Sequence, residues 1–512
     1  MIDLVTPFVR RLLHYRVRAI QRYATQGDAM QRRTLEMLIK EARHTQWGKE
    51  HVYSRIRTYE DFVAQVPMGN YASHKPYIAK MMEGEPDVLW KGLITRFATS
   101  SGTTSDVAKY IPVSNRALRR NHLLGGRDVT ATYLDQNRDS HVGLGYSMIL
   151  AGRLDSSYDR KKIKVGFISA IMSEAVPSIF RKVLHIVPSS EIANMEDAGA
   201  VFKTVAAQIS RKNLVSFSGV PTWNINVLEM AVKETGAKTA EDLWPDMEFF
   251  AHGGMSLIPY RNKLSDLFPS GKLHFIENYN ASEGFFGVQT DLSDPAMTLM
   301  LDYENFYEFV PMSAYGKPDA RAVPVWEIES GIDYAMLVSN SSGLWRYDMG
   351  DVVRFTNLRP YRFVIVGRTH QNINIWGEDL SVQQAEKALD RACNQFGVSV
   401  KDFTVAPVYC EQNPSDGHHQ WLVEFDKDPE DLAKFSAVLE QMVQAEDLDY
   451  KQSRASLELK ALEVIAARPG LFYDWLEAKG KLGGQHKVPR LSPKRKYMDE
   501  LLTLQVSCQY GP

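Results

Sequence analysis

The sequence predicts an α/β protein with more than one domain. Its 512 residues exceed what one ordinary hydrophobic core accommodates. Between residues 141 and 290, short apolar runs typical of buried strands alternate with stretches whose apolar residues have helical spacing. Residues 300–366 form a series of β-type runs separated by turn signals. Strands that alternate with helices indicate α/β layers around a largely buried sheet.

The first 66 residues predict helices, because their apolar side chains lie three and four positions apart. After Pro112, the segment SNRALRRNHLLGGRDV predicts a helix that begins at an N-cap, Ser114, and ends at Gly125–Gly126. Four segments further on are predicted as strands of the alternating region: VGLGYSMIL, KVGFISAIM, NLVSFSG and KLHFIENY. After Arg368 the chain mixes helices and strands over a length typical of a small independent α+β domain.

Composition limits the possible functions. A net charge of −2 is not the electrostatic footprint of a nucleic-acid-binding protein. The three cysteines, Cys393, Cys410 and Cys508, form no CxxC pair, which favours a reducing compartment over a disulfide framework or a zinc site. No apolar run has the length that spans a bilayer, so we expect a cytoplasmic protein without an integral membrane segment.

The N-terminal stretch MIDLVTPFVRRLLHYRVRAIQRY mixes arginines with apolar residues at helical spacing. We favour a first helix docked on the domain over a transit peptide or a helix lying on a membrane surface. It lacks the continuous apolar segment of a secretory signal.

Three segments have the residue types of a phosphate-handling site. ATSSGTTSDVAK, residues 98–109, offers hydroxyl groups, Gly102 for close backbone approach and Lys109 as a cation. The loop does not match the P-loop pattern, and apart from its lysine it is also compatible with a Ser/Thr/Gly linker. In ENYNASEGFFGVQ, a hydroxyl at Ser282 stands beside Glu283, a hard oxygen ligand of the kind Mg²⁺ prefers, although a solvated loop glutamate would look the same. In GLWRYDMGDVVRF, Asp351 is a carboxylate at a strand end, which suits two ribose hydroxyls but also an ordinary hairpin turn.

Together and in this order, these segments resemble the GH3 acyl-acid amido synthetases of the acyl-adenylating superfamily. The resemblance extends to VPMGNYASHKPYIAKMMEGEPDVLW, WPDMEFFAHGGMSLIPY, FYEFVP and, at residues 485–490, QHKVPR. It implies a large N-terminal domain of α/β layers plus a β-barrel-like part, at residues 1–370, a hinge at 371–380, and a small mobile α+β domain at 381–512. It also implies MgATP as a substrate, an acyl-adenylate intermediate, and an amino acid amine as the acceptor. No protein partner is implied.

The resemblance assigns roles residue by residue. Ser282 matches a contact to the α-phosphate, Glu283 the Mg²⁺ ligand, and Asp351 the ribose carboxylate. Phe363 matches the aromatic residue before the hinge arginine, Arg368. The other implied nucleotide-binding residues are Ser100, Ser101, Gly102, Thr103, Thr104, Lys109, His252, Gly253, Gly254, Tyr279, Asn280 and Ala281.

The resemblance also implies a lysine from the small domain and an acyl pocket. Lys487 in QHKVPR is the candidate for the catalytic lysine, with Lys494 and Lys496 as competitors. Asp379 stands where plant members have a lysine just past the hinge. The acyl site is expected near Arg120, with walls from Leu123, Val220, Pro221 and Trp223. Gly125 and Gly126 replace bulkier family residues, so no particular acid is inferred.

Two alternatives remain open at this point. The hinge segment GRTHQNINIWGEDLS is similar to that of acyl-CoA ligases, so the acceptor of the acyl group would be a thiol. The missing hinge lysine and the glycines of the acyl helix would also suit a nucleotide-binding protein without catalytic activity.

Overall fold

The structure is a computed structural model of the chain. It describes residues 3, 5–100, 109–161, 163–177, 181, 185–193, 195, 198–254, 256–369, 380–408, 417–455, 459–479 and 488–507. The chain forms two compact units. The first comprises residues 1–255 and 270–365, and the second comprises residues 256–269 and 366–512. The predicted domain limits, 1–370, 371–380 and 381–512, stay a prediction, because residues 370–379 lie outside the described part.

The first unit consists of helices around a long mixed sheet. Its α-helices are α1 Val5–Gln21, α2 Tyr23–Ala42, α3 Gln46–Glu50, α4 Tyr59–Gln65, α5 Tyr71–Met82, α6 Asn115–Ala117, α7 Leu123–Gln136, α8 Ile168–Ala175, α9 Ser190–Ala193, α10 Ala198–Ile209, α11 Pro221–Thr235 and α12 Ala240–Leu243. Its strands are β1 Arg96–Ser100, β2 Lys109–Pro112, β3 Tyr146–Ile149, β4 Lys164–Gly166, β5 Ile186–Val187, β6 Leu214–Gly219, β7 Phe249–Gly253, β8 His274–Asn280, β9 Phe285–Val288, β10 Met297–Leu299, β11 Asn305–Pro311, β12 Val323–Pro324, β13 Asp333–Asn340, β14 Tyr347–Leu358 and β15 Tyr361–Arg368.

One sheet of twelve strands runs through this unit, in the order β12-β11-β13-β14-β15-β10-β9-β8-β7-β6-β3-β5. From β8 to β5 the neighbouring strands are parallel, and parallel strands need crossover connections such as the helices of this region. From β8 through β9 to β10, and again from β12 to β14, they are antiparallel. Strand β8 therefore marks the change between the two halves, and the β-rich region is continuous with the α/β layers.

A smaller sheet, β2-β1-β4, lies in the same unit. KVGFISAIM, predicted as one strand of the alternating region, contributes only β4 to this sheet, and its second part is helix α8. A short apolar run has no periodicity that separates a strand from a buried helix, which is why the prediction was wrong here.

Helix α7 continues through the glycines that were predicted to end it. Ser114 is an N-cap as predicted, accepting a hydrogen bond from the backbone N–H of Ala117. A π-helical turn, Leu118–His122, joins α6 to α7. Gly125 then lies against strand β9, because a Cβ at this position would be 2.3 Å from the ring of Phe285. This glycine serves close helix–strand packing instead of helix termination.

Helix α1 is docked on the unit, as expected. Leu13 and Ile20 are buried, and Arg16 forms ion pairs with Asp128 at 2.8 Å and with Asp302 at 2.7 Å. None of the helices in the described ranges combines the length and the hydropathy needed to cross a bilayer.

The second unit is a small α+β fold. Its helices are α13 Arg261–Leu267, α14 Val382–Phe396, α15 Leu432–Glu446, α16 Leu448–Ala455, α17 Leu471–Ala478 and α18 Lys496–Ser507. Its strands, β16 Val400–Val408, β17 His418–Phe425 and β18 Glu463–Ala466, form a sheet in the order β16-β17-β18. Buried side chains of α14 and α15 cover this sheet, with Leu389, Phe403, Trp421 and Leu439 at the centre.

Candidate active site

The segment YNASEG forms the turn between β8 and β9. The turn closes on itself, since the N–H of Ala281 donates to the carbonyl of Gly284 at 2.8 Å. The side chain of Asn121 fixes its far end by accepting from the N–H of Phe285 at 2.6 Å. Ser282 is buried and Glu283 half-buried at the tip of this turn. Ser282 and Glu283, the predicted phosphate contact and metal ligand, therefore both lie on a turn between two antiparallel strands.

The turn contacts the start of the serine-rich loop. The hydroxyl of Ser282 donates to the carbonyl of Thr99 in β1 at 3.3 Å. Ser100 pairs with Lys109 in the register of β1 and β2, so the loop connects two neighbouring strand ends. Strand β2 and then α6 follow the loop in the chain. Ser101, Gly102, Thr103 and Thr104 lie outside the described residues.

The ribose candidate, Asp351, lies beside the same turn. It is buried in β14 and accepts a hydrogen bond from the hydroxyl of Tyr279 in β8. Asn340, at the end of β13, donates to the backbone carbonyl of Glu283 at 2.8 Å. Together with the contact between Ser282 and Thr99, these bonds bring three segments together that are far apart in the sequence.

A buried ion pair, absent from the predicted site residues, supports the ribose segment. Both carboxylate oxygens of Glu308 accept from Arg346 Nε, at 3.0 and 3.1 Å. Arg346 also donates to the carbonyl of Val66 at 2.8 Å, and its own carbonyl accepts from the N–H of Gly69 at 3.0 Å. The pair thus joins VPMGNY, FYEFVP and GLWRYDMGD. The motifs themselves were the available signal, but their mutual contact needs the fold.

A histidine in the upstream segment fixes the turn before β14. His74 Nδ1 donates to the carbonyl of Asn70 at 3.0 Å, while Nε2 accepts from the N–H of Trp345 at 3.3 Å. Burial lowers the pKa of His74 to about 4, so the imidazole is neutral at neutral pH. A neutral imidazole with its proton on Nδ1 makes both hydrogen bonds, because Nδ1 donates and Nε2 accepts.

The predicted adenine-side residues follow strand β7. Gly253 pairs with Asn278 in the parallel register, and a Cβ at Gly253 would be 2.3 Å from the carbonyl oxygen of Asn278. Gly254 has a φ of +77°, which favours glycine. His252 is buried and its carbonyl accepts from the amide of Asn278 at 2.8 Å. These residues lie at the carboxyl ends of parallel strands, where ligands bind in open α/β sheets.

The acyl candidates lie on two elements. Arg120 is exposed on the π-helical turn and Leu123 is half-buried at the start of α7. Between them, His122 contacts Asn280 of β8, with 3.2 Å between Nδ1 and Oδ1, and burial lowers its pKa to about 4.

The second element is the beginning of α11. Val220, the N-cap, and Trp223 are buried there, directly after β6. Gly219 at the end of β6 pairs with His252 in the parallel register, which makes Val220 a neighbour of the adenine-side segment. Pro221 occupies the first turn of the helix, where it needs no N–H partner.

The ring of Phe363 lies in the hydrophobic core, unlike a ring that contacts a ligand. It is fully buried in the core, and its ring meets the ring of Tyr279 at a centroid distance of 6.2 Å and an angle of 60°. Phe363 therefore packs behind Tyr279. Its role in nucleotide binding stays a prediction.

The second unit contains the remaining candidates. Arg368 is half-buried at the end of β15, and Lys494 and Lys496 are exposed. Lys487 and Asp379 lie outside the described residues. The segment after Lys487 is anchored, since Arg490 is buried, donates to the carbonyl of Phe403 at 2.9 Å and forms an ion pair with Asp402.

The donor chemistry suits magnesium. Mg²⁺ in nucleotide sites is usually held by one or two carboxylates together with substrate phosphates. Glu283 supplies such a carboxylate beside the residue that contacts the serine-rich loop. The described residues contain no group of three or more His, Cys, Asp or Glu side chains that could hold a metal ion.

Solved structures of an amido synthetase and of a CoA ligase share this architecture. An AtGH3.15 acyl acid amido synthetase in complex with 2,4-DB aligns over 95% of both chains, with a TM-score of 0.77 and 18% identity. A 2-hydroxyisobutyryl-CoA ligase in the postadenylation state aligns over 94% of this chain and 93% of its own, with a TM-score of 0.60 and 14% identity. The chain thus has the fold of these enzymes.

Sequence comparison specifies the family. Models of the GH3 N-terminal, central and C-terminal domains match residues 16–197, 298–368 and 383–496. A 4-substituted benzoates-glutamate ligase, GH3.12 of Arabidopsis thaliana, is 23% identical over 94% of this chain and 95% of its own length. A jasmonoyl–L-amino acid synthetase, GH3.5 of Oryza sativa subsp. japonica, is 24% identical over 88% and 90%. The chain belongs to the GH3 family, and the predicted fold class and class of amide-forming ligase are confirmed.

Proposed function

We propose that this protein joins a carboxylic acid to the amine of an amino acid, with consumption of ATP and release of AMP and pyrophosphate. The relatives named above, which act on benzoates and glutamate or on jasmonate and amino acids, support this assignment. The observation that carries it is the meeting of three motifs through Tyr279 and Asp351, Ser282 and Thr99, and Asn340 and Glu283.

In the first step, a carboxylate oxygen of the acid attacks the α-phosphorus of ATP. The bond to the β-phosphate breaks, pyrophosphate leaves, and an acyl adenylate forms. Asp351 accepts hydrogen bonds from the ribose hydroxyls, and the hydroxyl of Tyr279 fixes its orientation. Ser282, Lys109 and the loop from Ser100 to Thr104 stabilise negative charge on the phosphates.

Glu283 would hold Mg²⁺ in this site. The bound ion supplies neutralisation of the phosphate charge, which makes pyrophosphate a better leaving group. Lys487 is our candidate for the cation that approaches the α-phosphate, with Lys494 and Lys496 as the alternatives.

In the second step, the amine nitrogen of the amino acid attacks the acyl carbon. The bond from that carbon to the AMP oxygen breaks, the nitrogen loses a proton, and an amide and AMP result. Arg120 would face the acid, and Leu123, Val220 and Trp223 would line the acyl pocket. The class of acid depends on the shape of this pocket.

Product analysis tests the proposal. Purified protein is incubated with MgATP and pools of carboxylic acids and amino acids, and the products are identified by mass spectrometry. We expect AMP together with a new amide. Asp351→Asn should lower kcat/KM for ATP roughly 100-fold, because two hydrogen bonds to a charged group are weakened. Glu283→Gln should lower turnover roughly 100-fold and raise the Mg²⁺ requirement. Glu329→Gln removes the same charge at an exposed position of the first unit and should leave both unchanged.

Other outcomes would count against the proposal. A thioester formed from coenzyme A, with no amide from any amino acid, would assign the chain to the acyl-CoA ligases, whose fold it shares. ATP binding without turnover across the acid pool would favour a nucleotide-binding protein. Full activity of Asp351→Asn or Glu283→Gln would refute the site assignment.

We also propose a cytoplasmic location, which is supported by the use of ATP and free amino acids. Cys393 is a buried free thiol, and burial raises its pKa to about 12. Cell fractionation that recovers the protein outside the cytoplasmic compartment would contradict this location.

A further inference from the structure

The outer side of α1 has an apolar stripe. Val5, Phe8, Leu12 and Tyr15 are 44, 67, 59 and 52% exposed and lie three or four positions apart on one face of the helix. Four of the ten large apolar side chains that are exposed in the described part of the chain belong to this stripe. Such clustering marks an interaction surface, whereas single exposed apolar residues are ordinary.

Arginines border the stripe along one side. Arg11 and Arg18 are exposed and lie about 90° around the helix from the apolar residues, and Arg22 is exposed directly after the helix. The sequence from Val5 to Gly27 contains no acidic residue. Arg18 contacts His14, with 3.1 Å between the two nitrogens, and none of these three arginines forms an ion pair with a described residue.

Another side of α1 is already bound to the domain. Arg10 donates to the carbonyls of Leu134, Asn137 and Arg138 at 2.9, 3.0 and 2.9 Å, and Arg16 is held by its ion pairs with Asp128 and Asp302. A partner protein that wraps around the whole of α1 would have to break these contacts between α1 and the domain. A flat surface, in contrast, can cover the outer side alone.

We propose that α1 binds peripherally to an anionic lipid bilayer. The stripe formed by Val5, Phe8, Leu12 and Tyr15 enters the boundary between headgroups and acyl chains, and the arginine border meets lipid phosphates. The positive charge of the arginine border complements the negative charge of lipid phosphates, which favours an anionic bilayer as the partner of this surface. In a pair of copies of this chain joined through α1, the arginines would find no acidic partner on the facing helix, because residues 5–27 contain none.

Vesicle flotation of the full chain tests the proposal. Vesicles of phosphatidylcholine with about one third phosphatidylglycerol should bind the protein, and pure phosphatidylcholine vesicles should bind it far less. Raising NaCl from about 50 to about 500 mM should release it. R11Q/R18Q/R22Q should weaken binding roughly 100-fold, about fivefold per arginine. F8S/L12S should weaken it at least tenfold, because both side chains lose their burial in the bilayer.

Matched controls separate this effect from net charge and misfolding. K233Q/K238Q/K272Q removes three exposed charges elsewhere in the first unit and should bind vesicles like the natural chain. Circular dichroism should give all variants the melting temperature of the natural chain within about 2 °C, since the changed side chains are exposed.

Three outcomes would overturn the proposal. These are equal binding to both vesicle types, no binding to the anionic vesicles, and no effect of either α1 variant. Light scattering of the chain in solution adds a further measurement. A dimer that F8S/L12S dissociates, with no vesicle binding, would make a second copy the occupant of this surface.

Discussion

Removal of the Arg346 guanidinium should destabilise the first unit strongly. Arg346→Met keeps a long apolar side chain and deletes only the charged group. The remaining carboxylate of Glu308 is 1% exposed, and among the described residues its other side-chain partner is the hydroxyl of Tyr59 at 2.9 Å. Loss of one member of a buried ion pair leaves an uncompensated charge in the interior, and the usual cost is about 3–5 kcal/mol.

This cost converts to a measurable melting temperature. The first unit has about 350 residues, and unfolding entropy is about 2.1 cal/mol/K per residue, so the total is about 0.7 kcal/mol/K. Arg346→Met should therefore lower the melting temperature of this unit by about 4–7 °C. Differential scanning calorimetry and urea unfolding measure the shift. KM for ATP should rise in the same variant, because Arg346 directly precedes the segment that ends at Asp351.

Two further variants make the experiment specific. Arg354 lies in β14, the strand that follows Arg346, and Arg354→Met breaks its pair with Asp333. The two side chains of this pair are 43 and 31% exposed, so the change should cost less than about 1 kcal/mol. Arg346→Met combined with Glu308→Leu removes both charges and should recover most of the loss. A cost below about 1 kcal/mol for Arg346→Met, or a double variant less stable than the single one, would refute the reasoning.

Three other predictions concern stability. Gly125→Ala should cost about 1–3 kcal/mol because its Cβ meets the ring of Phe285, whereas Gly126→Ala in open surroundings should stabilise by about 0.5–1 kcal/mol; thermal unfolding compares the two. The folded pKa of His74, about 4, lies below the unfolded value near 6.5, so the unfolded chain binds the proton first and stability falls as the pH decreases from 6.5 towards 4. The neutral His74 contributes about 3 kcal/mol to the free energy of unfolding at neutral pH. Urea unfolding at a series of pH values should show that this free energy depends less on pH in His74→Gln. Arg490→Met should unfold the second unit at a temperature several degrees lower, because Asp402 loses its buried partner; calorimetry of the full chain measures it.

Each of these predictions has a contrary result. Equal effects of the two alanine variants would show that α7 does not approach β9 closely. An unchanged pH dependence in His74→Gln would mean that this imidazole is not buried neutral. An unaltered melting profile in Arg490→Met would remove the anchor that we assign to the segment after Lys487.

The sequence predicted the fold class and the family because these depend on local patterns. Alternating strands and helices, and motifs such as YNASEG, can be recognised within a few consecutive residues. The prediction was wrong at Gly125–Gly126, since the reason for a glycine there is the ring of Phe285, about 160 residues further along the chain. It was also wrong for the second part of KVGFISAIM, where a short apolar run allowed a strand or a helix.

The candidate site could be predicted only in part. Ser282, Glu283 and Asp351 were identified from their motifs, but their ligand roles stay predictions. The contacts of Arg346 with Glu308 and Val66 were not predicted, because each joins residues that are distant in sequence. The same holds for Asn340, whose amide reaches the carbonyl of Glu283. Supporting contacts of this kind depend on tertiary structure and have no local signature.

The second unit is built from two separate parts of the chain, and this decides how the unit can be studied in isolation. It includes residues 256–269, which precede β8 in the sequence, and Arg490 donates to the hydroxyl of Tyr260 within that segment. A fragment that begins at Val366 would lack this hydroxyl and leave part of a buried guanidinium unsatisfied. Chimeras that exchange the C-terminal part between relatives should therefore also exchange residues 256–269. A chimera with a single junction near Val366 would combine residues 256–269 of one relative with the rest of the second unit from another. The interior of that unit would then contain side chains from two different proteins.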